Sequence, residues 1–482
     1  MTEKLYKMKY YVDGTWRRAL SEKSIPIYSP YDHTPVGTVP SLTNDEINDA
    51  VNKAKEQQPG WEALSLQERA SYLLEWADNL QGMEEELAQL IMREVGKSLK
   101  DAKSEVNRTV DLIKYTVQHA LHMYNVSMNG DSFPGGKKSK MAYINRVPLG
   151  LILTISPFNY PVNLSASKIS AALITGNTVI FKPATQGALS GLKMMEALHQ
   201  TSIPNNVCNA VTGKGSEIGD TLVKHPLLDG ISFTGGTKTG KKISLDSKMI
   251  PLTLEMGGKD AAIVLEDAAL ELAASEIISG AFSYSGQRCT AIKRVIVQEE
   301  VADELVALLH EKVKGLKVGL PTEDATIVPL INNKSADYVQ HLIDDALTKG
   351  ADLVTGNERK GSLLHPTLLD HVNEEMEVAW EEPFGPVLPV IRVSTEEEAV
   401  SLTNQSEYGL QASVFTEDID AAFLIANQLH VGTVQINGKT ERGPDHFPFL
   451  GIKSSGLGSQ GVHNSIDSML RDKLTVLNLK SK

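Results

Sequence analysis

Three side chains in this sequence stand in settings that suggest covalent chemistry on a carbonyl group. Cys289 lies in FSYSGQRCT, behind Ser-Gly-Gln and directly after Arg288. A thiolate attacks carbonyl carbon readily and leaves a thioester that water can open; the competing reading is a packed core thiol. Glu255 lies in LTLEMGGKD, a carboxylate inside an apolar run. Carboxylates are seldom buried without a reason, so Glu255 is either half of a buried ion pair or a general base. Asn159 lies between two prolines in ISPFNYP. It is either a turn former or a fixed amide donor of the kind an oxyanion requires. The other cysteine, Cys208 in NNVCNAV, has no such context and reads as core packing. Two cysteines supply neither a zinc-ligand spacing nor a disulfide framework, so no metal is expected.

Two glycine-rich turns accompany these residues. ISFTGGTKTG (residues 231–240) is an apolar run that stops at glycines and opens a helical segment. Glycines allow close backbone approach, and a helix N-terminus offers unpaired N–H groups to a phosphate; the same pattern also serves simply to turn a chain. TGKGSEIG (residues 212–219) is a second such turn, and neither is the Gly-x-Gly-x-x-Gly dinucleotide fingerprint. Lys182, in FKPATQ, closes an apolar strand. It is either solvated or, at the carboxyl edge of a parallel sheet, in contact with a ribose or phosphate.

The elements that must position these groups show in the hydrophobic pattern. YYVDGTWRRA carries an Asp13-Gly14 hairpin turn. TNDE at residue 43 and SLQE at residue 65 are capping boxes ahead of helical periodicity. A helix is expected from residue 99 to about 115, with Val106, Val110 and Ile113 buried and Arg108 free on another face. From Leu149 onward LGLILTIS, NTVIFKP, NVCNAVTG, GISFTGG and AAIVL alternate with helical segments, the pattern of a doubly wound parallel sheet. A second series begins near Val295 with RVIVQ, PVLPVIRV, QASVFT and GTVQIN. SFPGGKKSK (residues 132–140) is the most loop-like stretch. At 482 residues, two or three domains are expected. A net charge of −13 argues against nucleic acid and acidic membranes as partners, so an anionic substrate would need a local cluster of arginines. The first residues lack an apolar leader and VPLGLILTI is too short to cross a bilayer, so a cytoplasmic location is expected.

LEMGGKD, then GQRC with its cysteine thirty-four positions after Glu255, together with PFNYP, FTGGTKTG and EEPFGPV, resemble the aldehyde dehydrogenase superfamily in order and spacing across essentially the whole chain. SGQRCTAIKRV, EEPFGPVLPVIRV, SEYGLQASVFT and FPFLGIKSSG are similar to its non-phosphorylating branch, which oxidises glyceraldehyde 3-phosphate with NADP and water. The resemblance implies Cys289 as nucleophile, Glu255 as the base for the deacylating water, and Asn159 with the Cys289 backbone N–H as oxyanion donors. It implies an NADP site formed by Ser156, Lys182, Thr185, Gly235, Gly236, Thr237 and Gly240, with Glu382 on the nicotinamide ribose and Phe384 supporting the ring. It assigns Arg108, Tyr160, Arg288, Thr290 and Arg442 to a phosphorylated substrate, which arginine's planar fork suits. NAD-preferring relatives often carry Glu where this chain has Thr185. A neutral hydroxyl there beside cationic Lys182 favours the 2′-phosphate of NADP. The alternative within the superfamily is an enzyme for an anionic semialdehyde such as succinate semialdehyde. A coenzyme A-acylating enzyme is disfavoured because it typically lacks the base at Glu255. Two positions depart from the family pattern: Gly236 replaces a usual Ser, and Leu450 a usual Gly. The implied architecture is α/β: an NADP-binding domain (1–125 and 148–256), a catalytic domain (257–440) and a small β oligomerisation arm (126–147 and 460–482) built from SKMAYINRV and KLTVLNL. A homotetramer is expected, because such an arm exposes sheet edges that another subunit would cover.

Overall fold

The computed structural model describes residues 4–480; residues 1–3 and 481–482, at the outer ends of the expected NADP-binding domain and arm, lie outside the described residues. Two sheets dominate. The first has eight strands, ordered Gly456–Leu457, Leu252–Glu255, Gly230–Thr234, Leu151–Ile155, Thr178–Lys182, Cys208–Ala210, Tyr10–Val12 and Thr15–Arg17. The central five are parallel. Apolar clusters cover both faces, which is why Leu151–Ile155 and Thr178–Lys182 read as continuous apolar runs rather than alternating ones. The direction of winding reverses between Leu151–Ile155 and Gly230–Thr234, and ligands bind at the carboxyl ends of the strands at such a switch point. Those ends carry Ser156, Lys182, Gly235 and Glu255.

The expected hairpin forms the far edge, with Asp13 (φ 56°) and Gly14 (φ 68°) both in the left-handed conformation its tight turn demands. Both capping boxes are present, at Thr43 for the helix Asn44–Glu62 and at Ser65 for Leu66–Gly82. The helix starting at Leu99 runs on to Leu121 rather than ending near 115, because Thr116, Val117 and Ala120 continue its buried stripe.

The second sheet has seven strands, ordered Asp352–Thr355, Thr367–Asp370, Val387–Val393, Arg294–Gln298, Ala261–Val264, Gln411–Phe415 and Thr433–Ile436. All neighbours are parallel except the first pair. AAIVL therefore belongs to this sheet and not to the first series; the chain crosses over at Gly257-Gly258, directly after Glu255. Residues 126–148 and 470–478 form a separate antiparallel three-stranded arm with mostly exposed side chains. Its second piece starts ten residues later than expected, because Val462, Ile466 and Met469 pack into the first core. Gly456–Leu457 then pairs beside Leu252–Glu255 and closes the sheet edge next to Glu255.

Candidate active site

The cysteine loop is fixed by its backbone. Tyr284 (φ 52°), Ser285 (φ 55°) and Gly286 (φ 70°) are three successive left-handed residues. Non-glycine residues hold that conformation only when their surroundings over-determine it. Here the Tyr284 hydroxyl donates to Val95 O at 2.7 Å, and the Ser285 hydroxyl donates to Val328 O while accepting from Val328 N–H, both at 2.7 Å. Gln287 is then locked by Ile331 N–H donating to its Oε1 at 2.9 Å. Cys289 emerges half-buried at the end of this turn. Its thiol donates to Glu255 Oε1 at 3.6 Å. Burial and then the Glu255 charge push the thiol up from its ordinary pKa, while Lys293 and Arg442 pull the other way. The sulfur therefore faces the Glu255 carboxylate, which opposes its ionisation.

Glu255 is 2% exposed, and the ion-pair reading of it holds. Its Oε2 pairs with Arg442 Nη1 at 2.8 Å, and its Oε1 faces the thiol. Asn159, also buried, donates one amide hydrogen to Gln287 O at 2.9 Å, tying the Pro-bracketed turn to the cysteine loop. The turn is held from below: Glu105 Oε1 accepts from Val162 N–H and Asn163 N–H at 2.9 and 3.1 Å. Lys97, the buried partner of Glu105, lies 3.6 Å from the centre of the Tyr160 ring.

A cavity of about 80 Å³ joins Arg108, Tyr160, Glu255, Arg288, Cys289, Thr290 and Arg442. Arg108 is not free as its helix face suggested: it grips both Asp445 oxygens at 2.7 Å and the Arg442 carbonyl at 2.7 Å. The loop that brings Arg442 to the cavity also brings the carboxylate that occupies Arg108. Arg288 donates through Nη2 to Gly280 O at 2.8 Å, and its buried Nε has no partner among the described residues.

On the other side of the switch point a cleft of about 550 Å³ opens between the helices Gly215–Val223 and Thr237–Asp246, with Lys182 and Ile155 in its wall. Lys182 is 6% exposed, and among the described residues its Nζ donates only to Pro183 O, at 3.0 Å. Burial lowers its pKa to about 8. Ser156 Oγ is buried without a partner among the described residues. Thr185 and Gly235 are half-buried nearby in the chain, and Gly236 at the helix N-terminus has open space beside it. Gly240 is required for packing: a Cβ there would lie 1.9 Å from the Met256 sulfur. A buried cation with only a carbonyl partner, beside a helix N-terminus, fits a phosphate-bearing dinucleotide. Thr237 lies at the start of that helix. Closer to the sulfur, Glu382 pairs with Lys293 at 3.1 Å, and the Phe384 ring meets Phe158 edge-on at 5.9 Å.

A profile of the aldehyde dehydrogenase family matches residues 16–475. The chain belongs to the aldehyde dehydrogenase family. This aldehyde dehydrogenase is 49% identical over 471 residues to the NADP-dependent glyceraldehyde-3-phosphate dehydrogenase of Streptococcus equinus, covering 98% of each chain. It is 48% identical to the protein of that name from Pisum sativum, covering 98% of this chain and 96% of that one. Its fold is similar to the crystal structure of the NADP-dependent glyceraldehyde-3-phosphate dehydrogenase from Bacillus halodurans C-125 complexed with NADP. That match has a TM-score of 0.98 and 56% identity, covering 98% of this chain and 100% of the other.

Several residues of this aldehyde dehydrogenase site carry no motif. Lys168 is buried in the helix Asn163–Ile174, where burial lowers its pKa to about 7 and Glu255 opposes that. A single lysine among small and apolar residues, SASKISAAL, was the available signal. Lys97 gave none, because Tyr160, whose ring it meets, comes from a distant part of the chain; Lys293 lies within SGQRCTAIKRV, but its partner Glu382 is distant. Leu450, the unexplained departure, lies against Gly432, where a Cβ would sit 1.8 Å from the Leu450 carbonyl oxygen.

Proposed function

We propose that this enzyme oxidises glyceraldehyde 3-phosphate irreversibly to 3-phosphoglycerate with NADP and water, through a thioester on Cys289. The observation that carries the reading is the cavity in which Cys289 and Glu255 share walls with three arginines and Tyr160. Glu255 takes the thiol proton across the 3.6 Å contact, and the sulfur attacks the aldehyde carbon. The second amide hydrogen of Asn159, not used on Gln287, serves the oxyanion with the Cys289 backbone N–H. The bound NADP supplies the hydride acceptor. Ser156, Lys182, Thr185, Gly235, Gly236, Thr237 and Gly240 hold it, with Glu382 on the ribose and Phe384 behind the ring. Glu255, held by Arg442, releases the thiol proton to solvent and then takes one from the water that opens the thioester. Arg108, Arg288, Thr290, Arg442 and Tyr160 hold the substrate phosphate end. Residues 1–125 and 148–256 act as the cofactor domain and 257–440 as the catalytic domain. The arm pairs subunits into a cytoplasmic homotetramer that works in carbohydrate metabolism. Among the described residues no helix is long and apolar enough to cross a membrane.

The test is NADPH formation from glyceraldehyde 3-phosphate and NADP without inorganic phosphate or coenzyme A. Turnover that Cys289→Ser abolishes supports the reading. Turnover only with succinate semialdehyde moves the substrate to the alternative and removes the phosphate role of the arginines.

A further inference from the structure

Lys293 serves two parts of this site with one charge. It follows the nucleophile by four residues on the way into the strand Arg294–Gln298, and its side chain is 2% exposed. Its Nζ donates to the backbone carbonyl of Cys289 and pairs with Glu382 Oε1 at 3.1 Å. Glu382 is itself pressed against the backbone. Gly258 N–H donates to Oε1 at 3.3 Å, and a Cβ on Gly257 would lie 1.8 Å from Oε2. The other end of the lysine is anchored as well, since its backbone N–H donates to Asp260 O at 2.9 Å. Burying an ammonium forfeits hydration and rotamer freedom, so its two contacts must offset both.

We propose that Lys293 is a positioning residue that fixes the Cys289 peptide and the Glu382 carboxylate in one register, and so sets the sulfur against the cofactor ribose. This rests on the reading of Cys289 as nucleophile and Glu382 as ribose ligand. Four charged groups face the sulfur: Glu255 from the first sheet, Arg442 from the substrate loop, Glu382 and Lys293; a fifth group, Lys168 from the helix beneath, is mostly neutral at pH 8 because burial lowers its pKa to about 7. The two cations favour the thiolate and the two carboxylates oppose it. Removing Lys293 deletes one favourable charge and leaves Glu382 unopposed.

The test follows the rate of iodoacetamide alkylation at Cys289 against pH, read by mass spectrometry of its peptide, in protein without cofactor. Lys293→Met should alkylate about tenfold more slowly at pH 8, the effect of one pKa unit on a thiol. Glu382→Gln should alkylate faster than wild type. Lys293→Met combined with Glu382→Gln should return toward wild type, an ordering by charge that a merely structural lysine would not produce. Calorimetric titration should show NADP binding about tenfold more weakly to Lys293→Met, whose Glu382 has lost its tether. A Lys293→Met curve superposed on wild type, or a double variant no faster than the single, overturns the proposal. If Lys293→Met does not fold, Glu382→Gln and the double variant decide, since neither leaves a buried carboxylate unpaired. Turnover surviving in Cys289→Ser would instead sink the nucleophile reading, whatever Lys293 does.

Discussion

Lys182→Met should make the cofactor-free enzyme more stable while damaging its use of NADP. Burial lowers the Lys182 pKa from 10.5 to about 8 in the folded chain. Below pH 8 the lysine is protonated in both folded and unfolded chains, and the full gap counts against folding, about 3 kcal/mol at about 1.4 kcal/mol per pKa unit. Between pH 8 and 10.5 the folded lysine is neutral while the unfolded one stays charged, so the penalty shrinks as pH rises and is gone above 10.5. Methionine has a similar length and no charge. Thermal unfolding without cofactor should therefore show the variant about 3 °C above wild type at pH 7, with the gap closing by pH 10.5. Function moves the other way. Losing a charged contact to the 2′-phosphate costs about 1.5–3 kcal/mol, roughly a 10–150-fold drop in kcat/KM for NADP, with little change for NAD. A variant less stable than wild type at pH 7, or one with an unchanged NADP to NAD ratio, would show that the buried ammonium is not waiting for an anion.

Asn159→Ala should lower kcat by about 10²–10³ with little change in KM, while Cys289 still reacts with iodoacetamide. Arg442→Leu should raise KM for glyceraldehyde 3-phosphate about 10–100-fold and hardly move that for neutral glyceraldehyde, a split that steady-state kinetics with both substrates resolves. Glu105→Ala breaks a pair whose side chains are 0–1% exposed, and should cost about 3–5 kcal/mol, read as a lowered Tm. Gly257→Ala places a carbon 1.8 Å from Glu382 Oε2, and calorimetry should find NADP binding lost while the fold persists by circular dichroism.

The fold was legible where local physics acts alone. Capping boxes, the Asp13-Gly14 turn and the run of buried parallel strands each follow from a few adjacent residues. The crossover after Glu255 was not, because AAIVL is as apolar as any strand of the first sheet and only its partners, Arg294–Gln298 and Gln411–Phe415, assign it to the second. Cys289, Glu255 and Asn159 stood out by type and context; one cavity joins the first two, and Asn159 is tied to the cysteine loop through Gln287 O. Occupancy was hidden. Nothing around Arg108 announces Asp445, 337 positions away, or that Glu255 would meet Arg442, 187 positions away. Such pairs depend on which loops the fold brings together, which spacing along the chain does not encode.

That occupancy bears on how a chain of net charge −13 accepts an anionic substrate. Bare arginines around Cys289 would draw any anion and repel one another. Here Asp445 holds Arg108, and Glu255 with Gln460 holds Arg442, so the fork of each guanidinium is oriented before substrate arrives. On the proposed reading, an entering phosphate shares Arg108 and Arg442 with carboxylates, so its net gain is smaller than free cations would offer, but its geometry is fixed in advance. A flexible point charge such as lysine could not be aimed by a side-on carboxylate in this way. The same pairing sets a cation on Glu255 in a site where burial already resists a second negative charge on sulfur. On the proposed reading, substituting Arg442 perturbs the base as well as the substrate contact, and Arg108 is the cleaner probe of phosphate recognition. Its Asp445 partner does not line the Cys289 cavity, so Arg108→Met should weaken substrate binding while the pH dependence of Cys289 alkylation stays as in wild type.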